Sequence, residues 1–137
     1  MFRKYFVNNI VLVSLAFLLF GCVSVNSVRV DGSFMYSNNS YHLFAWLHNT
    51  SGQTLWAKVT IKTPDGAGDC TKSLELTPDE RHQILCKQRS MIADDIYTLS
   101  IAVYKDSKYT DFVGKNVFTN SWNQVAIDAV KQALDTQ

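Results

Sequence analysis

Tyr41-His42-Leu43-Phe44-Ala45-Trp46-Leu47, Asn49-Thr50-Ser51-Gly52 and Leu55-Trp56-Ala57-Lys58-Val59-Thr60-Ile61-Lys62 are the three blocks that decide the fold class. In the last block Leu55, Ala57, Val59 and Ile61 alternate with Lys58, Thr60 and Lys62, the period of two that turns one set of side chains to a core and the other to solvent. The first block is apolar on both faces. Tyr41, Leu43, Ala45 and Leu47 can fill a core, while Phe44 and Trp46 project the other way, as Trp56 does from the next strand. The middle block is turn chemistry. The pair therefore reads as a β-hairpin with a loop of four residues or slightly more, and Pro64-Asp65-Gly66 ends its second strand.

Outward from this segment the pattern repeats. Weaker strands are expected near Val28 to Tyr36, from Cys70 to Leu76 and from Gln83 to Lys87, the last two flanking the turn Thr77-Pro78-Asp79-Glu80. A second hairpin there would bring Cys70 and Cys86 within bridging range. Tyr97, Leu99, Ile101 and Val103 alternate with Thr98, Ser100 and Ala102, and Asp106-Ser107-Lys108 turns the chain into a strand over Tyr109 to Phe118. Short strands at such spacing point to a β-sandwich or small barrel. The tail changes period. Trp122, Val125, Ala126, Ala129, Val130 and Ala133 recur at helical spacing behind a cap at Asn120 or Ser121, predicting an amphipathic helix over 121–135. Such a helix is marginal alone and must dock its apolar face. Packed over Phe44 and Trp46, with Trp122 and Val125 as the contact, it would cover those aromatics; left bare, Phe44, Trp46 and Trp56 would form one exposed aromatic face, a candidate binding surface.

The order of strands resembles an immunoglobulin-like sandwich of bacterial surface proteins. The residues that carry the resemblance are Asn49 in its turn, Leu76-Thr77-Pro78-Asp79, and Tyr97-Thr98-Leu99, where Tyr97 is placed to serve as a tyrosine corner. It implies an antiparallel β-sandwich of about seven strands with a C-terminal α-helix. The alternative is an α+β arrangement in which the helix packs on one face of a single antiparallel sheet.

The other informative segment lies at the start. Arg3 and Lys4 precede an apolar run from Ile10 to Phe20, interrupted only by Ser14, and Leu19-Phe20-Gly21-Cys22 follows. The run is the length of a signal-peptide core and short of the roughly 20 apolar residues of a spanning helix. The segment resembles the type II signal peptide of bacterial lipoproteins, in which a lipobox ending in cysteine is lipidated at that residue and cut before it. The resemblance implies cleavage of residues 1–21, lipidation of Cys22, a short tether over 22–29 and one domain over 30–137. Val23, where an Asp would signal inner-membrane retention, implies the outer membrane.

Without residues 1–21 the chain holds 116 residues, eleven Lys and Arg and twelve Asp and Glu, a net charge of −1. That suffices for one domain with a modest core, and it lacks the basic footprint of a nucleic-acid binder. Two cysteines remain, Cys70 and Cys86, an even pair that reads as a disulfide in an oxidising compartment. Closing a loop near 15 residues contributes about 3 kcal/mol in the chain-entropy model.

Catalytic and metal chemistry find little footing. His42 and His48 share a strand face but stand six residues apart, roughly 20 Å at strand spacing, too far to share an ion; His82 adjoins a polar turn. Asp79-Glu80 and Asp94-Asp95 are neighbours whose side chains point apart on extended chain. There is no nucleophile elbow, zincin motif or phosphate loop. The expectation is a non-enzymatic protein without cofactor, attached to the membrane through Cys22 and binding a protein partner on the periplasmic side of the envelope. The alternatives are an inhibitor or exclusion lipoprotein, using an exposed loop such as Asp65 to Asp69, and a small-ligand-binding or enzymatic envelope protein.

Overall fold

The computed structural model describes residues 23–135; the signal-peptide segment and Cys22 lie outside the described residues. Seven strands follow a short 3-10 turn, Val25–Ser27: β1 Val28–Ser37, β2 Ser40–Asn49, β3 Leu55–Lys62, β4 Cys70–Leu76, β5 Arg81–Gln88, β6 Tyr97–Tyr104 and β7 Phe112–Asn120. Among the described residues one α-helix, α1, spans Gln124–Asp135. The strands form two antiparallel sheets, β1-β2-β5 and β4-β3-β6-β7. The architecture is therefore mainly β, a seven-strand sandwich with one C-terminal helix.

The alternation in the sequence identifies the inner faces correctly. Leu43, Ala45 and Leu47 of β2 oppose Leu55, Ala57, Val59 and Ile61 of β3, and Leu76, Ile84, Ile101 and Val103 complete the core. Replacing one of the fully buried leucines by Ala costs about 2–5 kcal/mol. Two of the three expected hairpins are not hairpins, however. β2 and β3 lie in different sheets, as do β4 and β5, so the Asn49–Gln53 and Thr77–Glu80 turns are arches that carry the chain across the sandwich. Strand alternation states which face is buried. It does not state whether the next strand pairs alongside or crosses to the facing sheet, because both place the same residues inside. The true hairpins are β1–β2 and β6–β7. The first turns on Asn38 and Asn39, whose φ of 50° and 60° give a two-residue turn of the kind that matches strand twist.

Asn49 ties the two arches together. It is fully buried, and its Nδ2 donates to the carbonyls of Leu76 at 2.9 Å, Gln53 at 2.8 Å and Thr77 at 3.1 Å. Its Oδ1 accepts from the backbone N–H and the hydroxyl of Ser51, and its backbone N–H and C=O bond Glu80 and Asp79. The Cys70–Cys86 disulfide joins β4 to β5, hence one sheet to the other, with Cα atoms 6.2 Å apart. At this same end, away from the arches, the Tyr97 hydroxyl accepts the Ile92 N–H at 2.9 Å, a backward bond to the preceding loop that has the form of a tyrosine corner.

The helix begins three residues later than its periodicity suggested. Asn123, rather than Asn120 or Ser121, caps it, accepting the Ala126 N–H at 2.8 Å. Trp122 is thereby left in the extended link and inserts against Phe34 and Tyr97, with ring centroids 4.9 and 5.5 Å away. Among the described side chains of α1 Ile127 is buried, with Val130 partly buried behind it, while Val125 is 77% exposed. The stripe of Val125, Ala129 and Ala133 thus faces away from the domain. The helix closes one end of the sandwich beside β1; Trp122 and Val125 do not pack over Phe44 and Trp46.

Candidate functional site

The placement of β2 and β3 in separate sheets divides the expected aromatic face. Phe44 and Trp46 point outward from β1-β2-β5, and Trp56 points outward from β4-β3-β6-β7, on the opposite side of the sandwich. One aromatic surface becomes two.

On the first sheet Phe44 lies opposite Leu85, and Trp46 lies between Asp31 and Gln83. Trp46 is 45% and Leu85 46% exposed. Leu85, which the sequence reading passed over because it assigned β5 as a weak strand, adds a third apolar side chain to this face. The signal was present in Gln83-Ile84-Leu85-Cys86, where two adjacent apolar residues in a strand must face opposite ways. Around the patch stand His42, Ser33, Gln83 and Lys87, polar residues of the same outward set. An apolar centre inside a polar rim is the anatomy of a protein-binding surface.

On the second sheet Trp56 lies opposite Tyr104 in the strand register. Tyr104 packs on Tyr109 and Phe112 at centroid distances of 5.4 and 5.6 Å, and the Lys58 ammonium sits 4.7 Å from the Tyr109 ring. Phe112 is 57% exposed. This group lies at the β6–β7 hairpin, whose loop is held by Asp106. The Asp106 carboxylate accepts from the Thr110 hydroxyl and from the N–H groups of Thr110 and Asp111, bonds that lower its pKa.

The two edges that the disulfide does not join, β1 and β7, leave a cleft of about 240 Å³ lined by Gly32, Leu43, Leu99, Phe118 and Trp122 among others. Its walls are mostly apolar and no titratable cluster converges on it. The Asp65 to Asp69 loop folds on itself: Asp69 accepts from the Thr63 N–H and hydroxyl, and Asp65 from the Ala67 N–H. A Cβ on Gly68 would fall 1.6 Å from the Gln88 amide oxygen, so a larger residue there would displace the Gln88 side chain that bonds the Gly68 carbonyl. Among the described residues no three His, Cys, Asp or Glu side chains are grouped to hold a metal ion. His48 instead pairs with Asp79 across the arches at 2.7 Å, and that bond and charge hold the Asp79 carboxyl below its ordinary value. Cys22 lies outside the described residues, but Val23 does not. Val23 and Val25 pack on the core, so the segment 23–29, expected as a tether, is already part of the fold.

No family model and no curated protein matches the chain. Among solved structures it is similar to a putative β-galactosidase from Bacteroides fragilis, with 16% identity over 69% of this chain and 16% of that one, at a TM-score of 0.41. It is also similar to the GH3 β-glucosidase of Bifidobacterium adolescentis, with 17% identity over 67% of this chain and 17% of that one, at a TM-score of 0.33. The β-glucosidase 3B of Thermotoga neapolitana gives 14% identity over 67% of this chain and 15% of that one, at a TM-score of 0.31. The chain spans about one sixth of the length of these glycosidases. The likeness carries no activity over to this chain.

Proposed function

We propose that this protein is a lipid-anchored lipoprotein of the bacterial cell envelope whose sandwich is a non-enzymatic protein-binding or scaffolding module. In this reading residues 1–21 are removed as a signal peptide, Cys22 carries the lipid, and the domain faces the periplasm from the outer membrane. Its role is that of an accessory in an envelope assembly such as a secretion, conjugation or surface-assembly apparatus. The observation that carries the binding role is the outward patch of Phe44, Trp46 and Leu85, which α1 leaves uncovered. The Leu19-Phe20-Gly21-Cys22 sequence supports the anchor, and the Cys70–Cys86 bridge suits an oxidising compartment.

The test combines two variants in intact cells. Cys22→Ser is expected to abolish palmitate labelling and release the protein from the membrane fraction; continued membrane attachment without lipid would overturn the anchor. A photo-crosslinking residue at Trp46 is expected to capture a stoichiometric protein of a membrane complex, and the same residue at Asn39 is not. Capture of a soluble hydrolase instead would favour the inhibitor. Equal capture from both positions would overturn the patch.

A further inference from the structure

The point where the chain enters the fold has a consequence for the opposite sheet. Val25 seats against β7 so closely that a Cβ on Gly114 would lie 3.0 Å from the Val25 Cβ, and Asn26 accepts from the Asn116 amide at 3.0 Å. Cys22 is one peptide bond before Val23, about 3.8 Å between Cα atoms, and Val23 is itself packed on the core. A lipid on Cys22 therefore has no slack chain through which the domain could tumble. Whichever end of the sandwich lies beside Val23 is held against the bilayer.

The strand register defines that end. Val28 pairs with Asn49, His48 with Arg81, Leu55 with Leu76, and Tyr104 with Phe112. The two arches, the β6–β7 loop and the chain entry thus share one end. The Asn38-Asn39 turn, the loop over residues 63–69 and the start of α1 share the other. At the entry end the outer face of the second sheet carries Trp56, Tyr104, Tyr109 and Phe112. Gly114, against which Val25 rests, is two residues from Phe112, about 7 Å along a strand.

Lys58 lies over the Tyr109 and Tyr104 rings, and Lys105, Lys108 and Lys115 are exposed along the same hairpin. The acidic residues facing them are Asp106, Asp111 and Glu75; Asp106 is occupied by Thr110 and the Asp111 N–H. Aromatic rings with a polar tip, interleaved with lysines whose stems are apolar, are the side chains that settle at the headgroup level of a bilayer. Phe112 leaves most of an apolar ring in contact with water, surface that a bilayer would cover.

We infer that the entry end of the sandwich is a bilayer-contacting surface, with Tyr104, Tyr109, Phe112 and Lys58 seated among phospholipid headgroups. This deepens the proposed anchoring of Cys22 and rests on it. The contact supplies a second, weak attachment and fixes orientation. The Phe44, Trp46 and Leu85 patch then stands on a flank of the domain roughly upright on the membrane, open to a partner alongside. The opposite end, with the loop over residues 63–69, points away from the lipid.

The experiment uses the full chain expressed with its leader, purified in detergent and placed in nanodiscs of phosphatidylethanolamine and phosphatidylglycerol that contain headgroup-nitroxide lipid. Backbone amides of residues 105–111 should broaden about threefold or more relative to those of 38–39 and 65–68, as expected for groups at headgroup depth. Tyr109→Ser with Phe112→Ser, both at exposed or half-exposed positions, should bring that ratio close to one while the remaining spectrum stays that of the folded protein. Even broadening of both ends in the parent protein, or stronger broadening at 38–39, would overturn the inference. A second arm separates its failure from that of the anchor. The chain from Cys22 to Gln137, with Cys22 as its free thiol, is coupled to a maleimide phospholipid, so orientation is read whether or not cells lipidate that residue. The mass of the Cys22 peptide from cells reports on the anchor alone.

Discussion

Replacing Asn49 by Ala removes the side chain that joins the two arches, and the structure sets the size of the effect. The Leu76 carbonyl, bonded by Nδ2 at 2.9 Å in a buried setting, is left without this partner, while the Gln53 and Thr77 carbonyls are only part-buried and can turn to water. An orphaned buried acceptor costs about 1–3 kcal/mol, and each bond replaced by water about 0.5–1.5 kcal/mol. The loss should total about 3 kcal/mol, a large fraction of the 5–15 kcal/mol typical of a domain. With a urea m-value of about 1.5 kcal/mol/M, the midpoint should fall by about 2 M. Urea unfolding followed by tryptophan fluorescence and by far-UV dichroism measures it. Asn49→Asp sharpens the test, because it keeps the acceptor toward Ser51 but sets a carboxylate against the Leu76 and Thr77 carbonyls. Burial raises the folded pKa of such a group. Its contribution is then intact below the ordinary carboxylate range and is lost as pH rises through the raised value. Asn49→Asp should therefore be nearer the parent at pH 4 and less stable than Asn49→Ala at pH 7. A loss under about 1 kcal/mol for Asn49→Ala, or Asn49→Asp matching the parent at pH 7, would refute the clamp.

Reducing the Cys70–Cys86 bridge, or replacing both residues by Ala, should lower stability by about 3 kcal/mol for a loop of this length; thiol titration of the denatured parent should find neither sulfur free. Tyr97→Phe should cost about 1–3 kcal/mol by orphaning the Ile92 N–H. Burial pushes the Tyr97 phenol above its ordinary value, so the stabilisation is complete below about pH 10 and is lost as pH rises through the raised value, an alkaline limb that Tyr97→Phe should lack. His48→Ala should return the Asp79 carboxyl toward its ordinary value in a carbon-13 titration. The sign follows from the lowered pKa: the pair stabilises above the ordinary carboxylate value and ceases to as pH falls through the lowered one. The parent should therefore lose stability on acidification more steeply than the variant.

Much of the architecture was legible. The alternation of Leu55, Ala57, Val59 and Ile61, and of Tyr97, Ile101 and Val103, located the strands and their inner faces, since burial on one side of a pleated chain has a period of two. Trp122 was marked as an apolar residue in need of cover, and it is covered, though by Phe34 and Tyr97. The helix stripe was misplaced by the cap. With Asn123 accepting from Ala126, Ile127 faces the core and Val125 faces solvent.

The candidate site fared differently, and for one reason. Phe44, Trp46 and Trp56 were assigned to one face because β2 and β3 were read as paired. Whether a turn is a hairpin or an arch depends on what the loop residues meet. Here Asn49 is drawn inside by carbonyls at Leu76 and Thr77, some 27 and 28 residues later in the chain. No local pattern encodes those partners. The sequence by itself determined the strands, their buried sides and the cysteine pair, all of which follow from period, turn chemistry and count. Only the tertiary structure decided which sheet each strand joins, and hence which outward residues share a surface, because that choice is made by contacts between segments far apart in the chain.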